Sequence, residues 1–235
     1  MASLDLARMQ MATEGRKLLG KAIELAEEAR ARINKIPGLR CLTDRQVKEW
    51  GDSSLDVTKL TICVKELGLT GYAASGLLNT EFDIQVEMAD LWNVLVIVSI
   101  GDRRDDLDRL VRGLERLAER HQTRRASPVW EIPPIPPLHE AHLACSPREA
   151  YFGRFVFLDL AKAVGRVCCD IVTIYPPGIP ILIPGEQITR AAVDYLLFLG
   201  RHGARIDGVL DPPADGSGTG AGADSADPLV RVLAV

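Results

Sequence analysis

This sequence has no excess of positive charge. Its formal net charge is -4, so it lacks the electrostatic footprint of a protein that binds nucleic acid or an anionic membrane. Long hydrophobic runs are also missing. The longest, Val94–Ile100, is far shorter than the ~20 residues that a membrane-spanning helix needs. The N-terminal segment carries Asp5 and Glu14 and lacks the apolar stretch of a secretory signal, so we expect a cytoplasmic protein.

Patterns typical of a disulfide framework or a metal centre are absent too. The five cysteines are odd in number and show no CxxC spacing: Cys41, Cys63, Cys145, Cys168 and Cys169. We therefore expect reduced thiols that pack as small hydrophobic groups. His139 and His142 are three residues apart and could share a helix face, but no third ligand lies nearby in the sequence, so we predict no metal site.

The spacing of hydrophobic residues predicts one domain over residues 1–120. The 235-residue chain is 47% hydrophobic, which is enough to build a core without disulfides. The predicted elements are, in order, a helix Leu4–Ile33, strands Leu39–Leu42 and Lys59–Lys65, a helix Tyr72–Thr80, strands Asp83–Met88 and Val94–Ile100, and a helix Arg103–Glu119 capped by Asp102. This order favours an α+β fold, with a mostly antiparallel sheet and helices on one face.

Residues 121–140 are predicted to form a proline-rich linker that contains the sequence IPPIPP. Such a segment favours extended polyproline II structure because proline removes backbone donors. One interpretation is a recruiting motif for an SH3-like partner. The other, which we favour, is a stiff connection between two domains.

A second small α+β domain is predicted over residues 141–210. Ser146-Pro147 followed by Glu149 is typical of a helix start. We expect a helix over Phe155–Val167, a strand over Cys168–Ile174 and a helix from Thr189, its N-cap, to His202. Residues 211–227 are too poor in apolar side chains to fold alone and are predicted to be disordered, while residues 228–235 could form a terminal strand.

The most distinctive segment is YPPGIPILIPGE, from Tyr175 to Glu186. Residues 175–178 predict a turn that prevents strand pairing over those four positions, and the four prolines of the segment predict a rigid wall with few backbone donors. In one interpretation this wall frames an active site, with Glu186 as a polar contact for the cationic end of a substrate. In the other it is a structural crossover beneath a helix. The sequence leaves both open.

Several segments, in order, resemble the Orn/Lys/Arg decarboxylases, which use pyridoxal phosphate (PLP). The segments are ASLDLARMQMATEG (2–15), INKIPGL (33–39), DVTKLTICVKELGLTGY (56–72), IQVEMADLWNVLVIVSIGD (84–102), SPREAYF (146–152) and YPPGIPILIPGE (175–186). The resemblance implies an aminotransferase-like small domain followed by the family's C-terminal domain. It also makes Arg8 and Tyr175 candidates near a substrate. A solvent-exposed helix arginine is the simpler interpretation of Arg8.

The sequence departs from the family pattern at the cofactor. In the family, PLP forms a Schiff base with a lysine in a Ser-x-His-Lys type segment. None of the four histidines here, His121, His139, His142 and His202, precedes a lysine. No glycine-rich phosphate loop precedes a helix. We therefore expect no catalytic or cofactor-binding residue in this chain and no PLP bound by it alone.

Three hypotheses about function follow from the resemblance. The chain could be the C-terminal portion of a basic amino acid decarboxylase, with arginine favoured over lysine and ornithine, that docks on a PLP-bearing chain. It could instead be a non-catalytic structural or regulatory homologue that self-associates or binds a full-length decarboxylase. A binding module for basic amino acids or polyamines is the third. The first two predict an exposed apolar patch that a partner or a second copy covers. Whether the chain is an enzyme is left open.

Overall fold

The computed structural model describes residues 1–51, 53–121, 132–136, 142–175, 177–210 and 227–234. It divides the chain into two compact units, Met1–Pro128 and Val129–Val235. Both combine helices with antiparallel sheet, which confirms the predicted mixture of secondary structure. No helix in the described ranges has the length and apolar character needed to cross a bilayer.

The first unit builds a four-stranded sheet with helices. Its elements are α1 (Ala2–Ile33), β1 (Arg40–Cys41), α2 (Asp44–Glu49), β2 (Lys59–Cys63), α3 (Gly71–Phe82), β3 (Met88–Ala89), β4 (Asn93–Ile97) and α4 (Arg104–His121). The strand order is β1-β2-β4-β3, and every neighbouring pair is antiparallel. The predicted strand at Val94–Ile100 therefore lies inside the sheet, as its apolar character indicated.

Burial follows the helical period in α4 and in the second half of α1. The five apolar residues predicted for the inner face of α4 are all buried: Leu107, Leu110, Val111, Leu114 and Leu117. In α1, Ala22, Leu25, Ala29 and Ile33 are buried. Met11, which shares their spacing, is 39% exposed. The amphipathic pattern thus predicted the inner face correctly, but only the C-terminal half of α1 meets the core.

Two local predictions in this unit are wrong, and one short helix was not predicted. The alternating segment Asp83–Met88 is not a strand over most of its length, because Asp83 adopts a left-handed conformation that ends α3 and only Met88–Ala89 pairs. The predicted cap of α4 by Asp102 is also wrong. The Asp102 side chain accepts a hydrogen bond from Ser99 N, and it is Asp106 that accepts from Arg103 N at the start of α4. The short α2 was missed, although its capping box of Thr43 and Gln46 was readable in the sequence.

The second unit contains two three-stranded sheets. Its elements are α5 (Pro147–Phe152), β5 (Phe155–Asp159), β6 (Val172–Tyr175), β7 (Ile179–Leu182), α6 (Arg190–Arg201), β8 (Arg205–Asp207), β9 (Val209–Leu210) and β10 (Leu229–Leu233). The strand orders are β5-β10-β9 and β7-β6-β8, and all pairs are antiparallel.

The predicted helix over Phe155–Val167 is wrong. Leu158, Leu160 and Ala161 fit a helical spacing, but the sequence Phe-Val-Phe-Leu pairs along its length with β10, some 70 residues later in the chain. Aromatic and β-branched side chains favour such a pleated surface. The spacing of apolar residues within a short segment does not indicate a strand partner that lies so far along the chain.

Other predictions in this unit are confirmed. The Ser146 and Glu149 side chains form a capping box with Pro147 in the first turn of α5. The Thr189 hydroxyl caps α6 by accepting from Ala192 N at 3.2 Å, and the terminal strand exists as β10. The strand predicted at Cys168–Ile174 is present but shifted to Val172–Tyr175.

Most of the predicted linker, 121–140, and nearly all of the predicted disordered tail, 211–227, lie outside the described residues. Their assignments stay predictions, as do the domain boundaries at residues 120, 140 and 210.

Candidate functional site

The distinctive proline-rich segment begins as a β-hairpin. Tyr175 ends β6, Gly178 N donates to Ile174 O at 3.0 Å, and β7 returns along β6. The predicted turn is therefore present. The predicted absence of strand pairing over residues 175–178 is wrong at Tyr175, which pairs with Arg205 of β8, and the pairing of β7 with β6 was not predicted. Pro180 stands opposite Thr173 beside a register shift. Because β7 is an edge strand, a proline can be accommodated there without breaking a central ladder.

The turn after β7 is closed by Glu186. Its Oε2 accepts a hydrogen bond from Ile183 N at 2.9 Å, and its own N–H donates to Ile183 O at 3.2 Å. Its carbonyl oxygen accepts from Cys168 N at 2.8 Å. The half-buried Glu186 side chain thus fixes local backbone geometry with one carboxylate oxygen, which supports the interpretation of this segment as a structural crossover.

Gly185 shows why this turn needs a glycine. Its φ is +91°, and a Cβ atom at this position would lie 2.4 Å from Cys145 O. The close approach allows two backbone bonds, from Gly185 N to Cys168 O at 2.9 Å and from Ala144 N to Gly185 O at 2.8 Å. The segment is therefore held on both sides by backbone hydrogen bonds.

Tyr175 and Glu186 do not lie together in the second unit. Tyr175, 58% exposed, lies at the turn end of the hairpin, whereas Glu186 follows the opposite end of β7. Arg8 belongs to the first unit, is exposed, and pairs with Asp5 Oδ1 through Nη2 at 2.9 Å. Their proposed contacts with a substrate stay predictions.

The two buried thiols of the second unit, Cys168 and Cys169, offer little nucleophilic chemistry. Burial raises the pKa of Cys168 to about 11, and burial likewise raises the pKa of Cys169. A thiol with a raised pKa is mostly protonated near neutral pH and reacts slowly. The described residues contain no cluster of three His, Cys, Asp or Glu side chains that could hold a metal ion.

Two surface cavities of the first unit are too open to form a closed reaction site. The larger, about 320 Å³, lies between the end of α1 and α4 and is lined in part by Lys35, Glu115 and Glu119. The smaller, about 150 Å³, includes Asp83 and Arg109. Neither contains Arg8, Tyr175 or Glu186.

The residues present do not fit PLP. All seven lysines of the sequence lie in the described ranges, and none is buried: Lys17, Lys21, Lys35, Lys48, Lys59, Lys65 and Lys162. A lysine that forms a Schiff base must be desolvated or otherwise activated to be nucleophilic near neutral pH. Lys35, on the rim of the larger cavity, is exposed.

Sequence reasoning missed two arginines that join distant segments, the buried Arg30 and the half-buried Arg231. Arg30 is 7% exposed and donates to three backbone carbonyls in the first unit. Arg231 pairs with Asp170 at 3.0 Å and lies over the rings of Tyr151 and Phe155. Neither could be found from local patterns, because their partners are distant in the sequence.

Comparison with known proteins identifies relatives over nearly the whole chain. The family model described as Orn/Lys/Arg decarboxylase, C-terminal domain, matches residues 139–212. The arginine decarboxylase of Halalkalibacterium halodurans is 42% identical over 90% of this chain. That of Bacillus subtilis is 40% identical, also over 90%. The chain spans 43% of the length of each of these relatives.

Solved structures show the same fold at lower identity. The constitutive lysine decarboxylase of Escherichia coli matches 99% of this chain and 43% of its own, with a TM-score of 0.72 and 21% identity. The lysine decarboxylase LdcF of Francisella novicida matches 94% of this chain and 40% of its own, with a TM-score of 0.68 and 20% identity. With sequence identity of 40% and more to curated relatives along nine-tenths of its length, the chain belongs to the Orn/Lys/Arg decarboxylase family.

Proposed function

We propose that this chain supplies the C-terminal portion of a PLP-dependent decarboxylase of basic amino acids, with arginine as the substrate and lysine or ornithine as alternatives. The observation that carries the proposal is the similarity to arginine decarboxylases over 90% of the chain. The active assembly would obtain its PLP lysine from another polypeptide region, because none of the seven lysines here is buried. The chain alone is then inactive.

PLP, when bound in such an assembly, supplies the electron sink for decarboxylation. The contribution of this chain is to bind and orient. Glu186 uses Oε2 for the backbone of Ile183, and its other carboxylate oxygen is proposed to meet the cationic end of the substrate. Tyr175 and Arg8 are proposed to lie near the substrate, with Arg8 facing its carboxylate. The backbone-bonded turn at Gly185 would keep Glu186 in one position.

The N-terminal half of α1 supports docking on a PLP-bearing region. Every residue from Met1 to Glu14 is exposed, and Leu4, Leu6 and Met9 are 69%, 60% and 50% exposed. Apolar side chains on an otherwise unsupported helix are typical of a surface that a partner covers. We propose that residues 1–120 act as the aminotransferase-like small domain against this partner, in the cytoplasm.

The test combines this chain with a PLP-bearing chain of the family from which the matching C-terminal region has been removed. Release of carbon dioxide from arginine, lysine and ornithine is measured for each chain alone and for the mixture. We expect activity in the mixture only, highest with arginine, and reduced at least tenfold by Leu4→Glu/Leu6→Glu in α1. Lys17→Glu, on an exposed position of the same helix, is the matched control.

Two outcomes would contradict the proposal. Decarboxylation by the purified chain alone would show that it holds its own reactive centre. A stable complex without activity on any of the three amino acids would favour a structural or regulatory homologue instead.

A further inference from the structure

β5 is an edge strand with an exposed apolar surface. It pairs with β10 on one side, and no other described strand borders it. Phe155, Val156 and Phe157 are 45%, 40% and 45% exposed. Side chains therefore protrude on both faces of the strand, since successive residues point to opposite sides.

The hydrogen bonds to β10 define which backbone groups of β5 face outward. Ala234 N donates to Arg154 O at 2.9 Å, and Leu160 N donates to Pro228 O at 2.9 Å. Hydrogen-bonded pairs alternate along an antiparallel ladder, so residues 154, 156, 158 and 160 face β10. The N–H and C=O groups of Phe155, Phe157 and Asp159 consequently point to the free edge.

We propose that two copies of this chain associate by antiparallel pairing of their β5 strands around a two-fold axis at Phe157. This register places Phe157 opposite its symmetry mate and Phe155 opposite Asp159 of the second copy. All three outward-facing residues then form hydrogen-bonded pairs. A two-fold axis through an outward-facing residue satisfies the alternation of the ladder in both copies at once.

The charges near the strand favour this pairing. Asp159 of the second copy would arrive opposite Phe155, whose ring lies 4.6 Å from the Arg231 guanidinium. Arg231 stands opposite Phe157 on β10, so its side chain shares the face of Phe155, Phe157 and Asp159. Each copy thus brings a carboxylate toward the guanidinium of the other, while Lys162 and Asp170 remain the partners of Asp159 and Arg231 within one copy.

The first four residues of β5 carry no feature that protects the edge from such pairing, and Asp159 at its end is the one charged residue of the strand. Phe155–Leu158 contains no proline and no charge, and its register with β10 is regular. Edge strands that stay unpaired usually carry such devices. A five-residue strand is smaller than a standard interface of about 20–30 residues a side, so we expect a micromolar or weaker dimer.

The test uses the full chain alone and measures its mass by sedimentation at concentrations up to on the order of 100 µM. We expect a monomer–dimer equilibrium that Phe157→Lys weakens at least tenfold, because two lysines would meet at the axis. Ile171→Lys changes another exposed apolar residue, 55% exposed, in the same unit and should change the dissociation constant less than twofold. Circular dichroism verifies that both variants are folded.

A cross-link tests the register directly and does not depend on a loss of binding. Cα atoms of a hydrogen-bonded antiparallel pair lie about 5.5 Å apart, within the range of a disulfide. Phe157→Cys should therefore give a covalent dimer under a copper–phenanthroline oxidant, while Val156→Cys and the unchanged chain should not. The proposal is overturned if the chain stays monomeric, if Phe157→Lys leaves the dimer intact, or if Val156→Cys cross-links equally well. Because no PLP-bearing chain is present, these results are independent of the proposed decarboxylase role.

Discussion

Each unit contains an arginine that joins distant segments, buried in the first unit and half-buried in the second, and the two are hydrogen-bonded in different ways. Arg30 in the first unit donates to three main-chain oxygens, those of Leu42 at 2.8 Å, Val57 at 3.0 Å and Lys59 at 2.9 Å. It ties α1 to the segments around β1 and β2. The planar fork of the guanidinium makes such multiple donation possible, and a lysine ammonium could not reproduce it.

Arg231 in the second unit depends on side chains as well. It pairs with Asp170 at 3.0 Å, donates to the carbonyls of Tyr151 and Cys169 at 3.2 Å, and stacks near two aromatic rings. Its buried Nε has no hydrogen-bond partner among the described residues. Arg30 therefore links backbone segments through hydrogen bonds to their carbonyls. Arg231 is held in part by its ion pair, and one of its donors has no acceptor in the part of the chain that the structure describes.

The largest expected effect is the loss of Arg30. Arg30→Met should lower the free energy of unfolding by about 3 kcal/mol, because three buried carbonyls lose their donor. Arg30→Lys should recover less than half of this loss, since one ammonium cannot reach all three oxygens. Urea denaturation measures both. A stability loss below about 0.5 kcal/mol for Arg30→Met would contradict the role of this residue in holding α1 against the segments around β1 and β2.

The second largest loss of stability is expected for a backbone change in the second unit. Gly185→Ala should cost about 2 kcal/mol or more, since the new methyl group meets Cys145 O and the left-handed conformation disfavours alanine. Gly165 has a similar φ of +82°, but a Cβ atom there would meet no other atom within 4 Å. Gly165→Ala is therefore the matched control and should cost about 1 kcal/mol. Equal losses in urea denaturation would show that the close approach is relaxed at little cost.

Arg231→Met should have a smaller effect than Arg30→Met, about 1–2 kcal/mol. Its loss should also depend on salt, because the Arg231 and Asp170 side chains are 17% and 28% exposed and their attraction is partly screened. Asp170→Asn should reproduce the salt-dependent part. Denaturation of each variant at low and high sodium chloride tests this, and the Arg30 variants should show no comparable salt dependence.

The smallest expected effect concerns the N-terminal cap of α5. Arg231 contacts this helix by donating to the carbonyl of Tyr151. The Ser146 hydroxyl and then the Ser146 N–H lower the pKa of Glu149 by hydrogen bonding to its carboxylate. A lowered folded-state pKa stabilises the fold above the unfolded-state pKa, and this stabilisation is lost as pH falls through the folded-state value. Stability should therefore decrease in acid less steeply in Glu149→Gln than in the unchanged chain. Ser146→Ala should reduce the same slope, and the two changes should not be additive.

How much could be read from the sequence depended on how far each interaction reaches along the chain. The inner face of α4, the caps at Ser146 and Thr189, and the interior strand near Val94 follow from patterns within a few residues, and all were predicted. Phe155–Asp159 forms a strand where its local spacing predicts a helix, because its partner, Leu229–Leu233, lies some 70 residues away. The hairpin through Pro180 was missed because edge position, which permits a proline, is a property of the whole sheet.

The candidate site shows the same division. The segment Tyr175–Glu186 and the family were recognisable from the residues, and the curated relatives confirm the family. The engagement of one Glu186 oxygen with Ile183 N could not be predicted, since it depends on the turn that follows β7. The contacts of Arg8, Tyr175 and Glu186 with a substrate stay predictions.

The sequence by itself determined the family, the amphipathic helices, their caps and the lack of a Ser-x-His-Lys segment, because each is encoded in neighbouring residues. Only the tertiary structure decided that all seven lysines stay unburied, that Arg30 is buried and Arg231 half-buried among different partners, and that β5 lies at the edge of its sheet. The physical reason is that burial and edge position depend on which distant segments exclude water from a residue, and a local pattern does not contain that information.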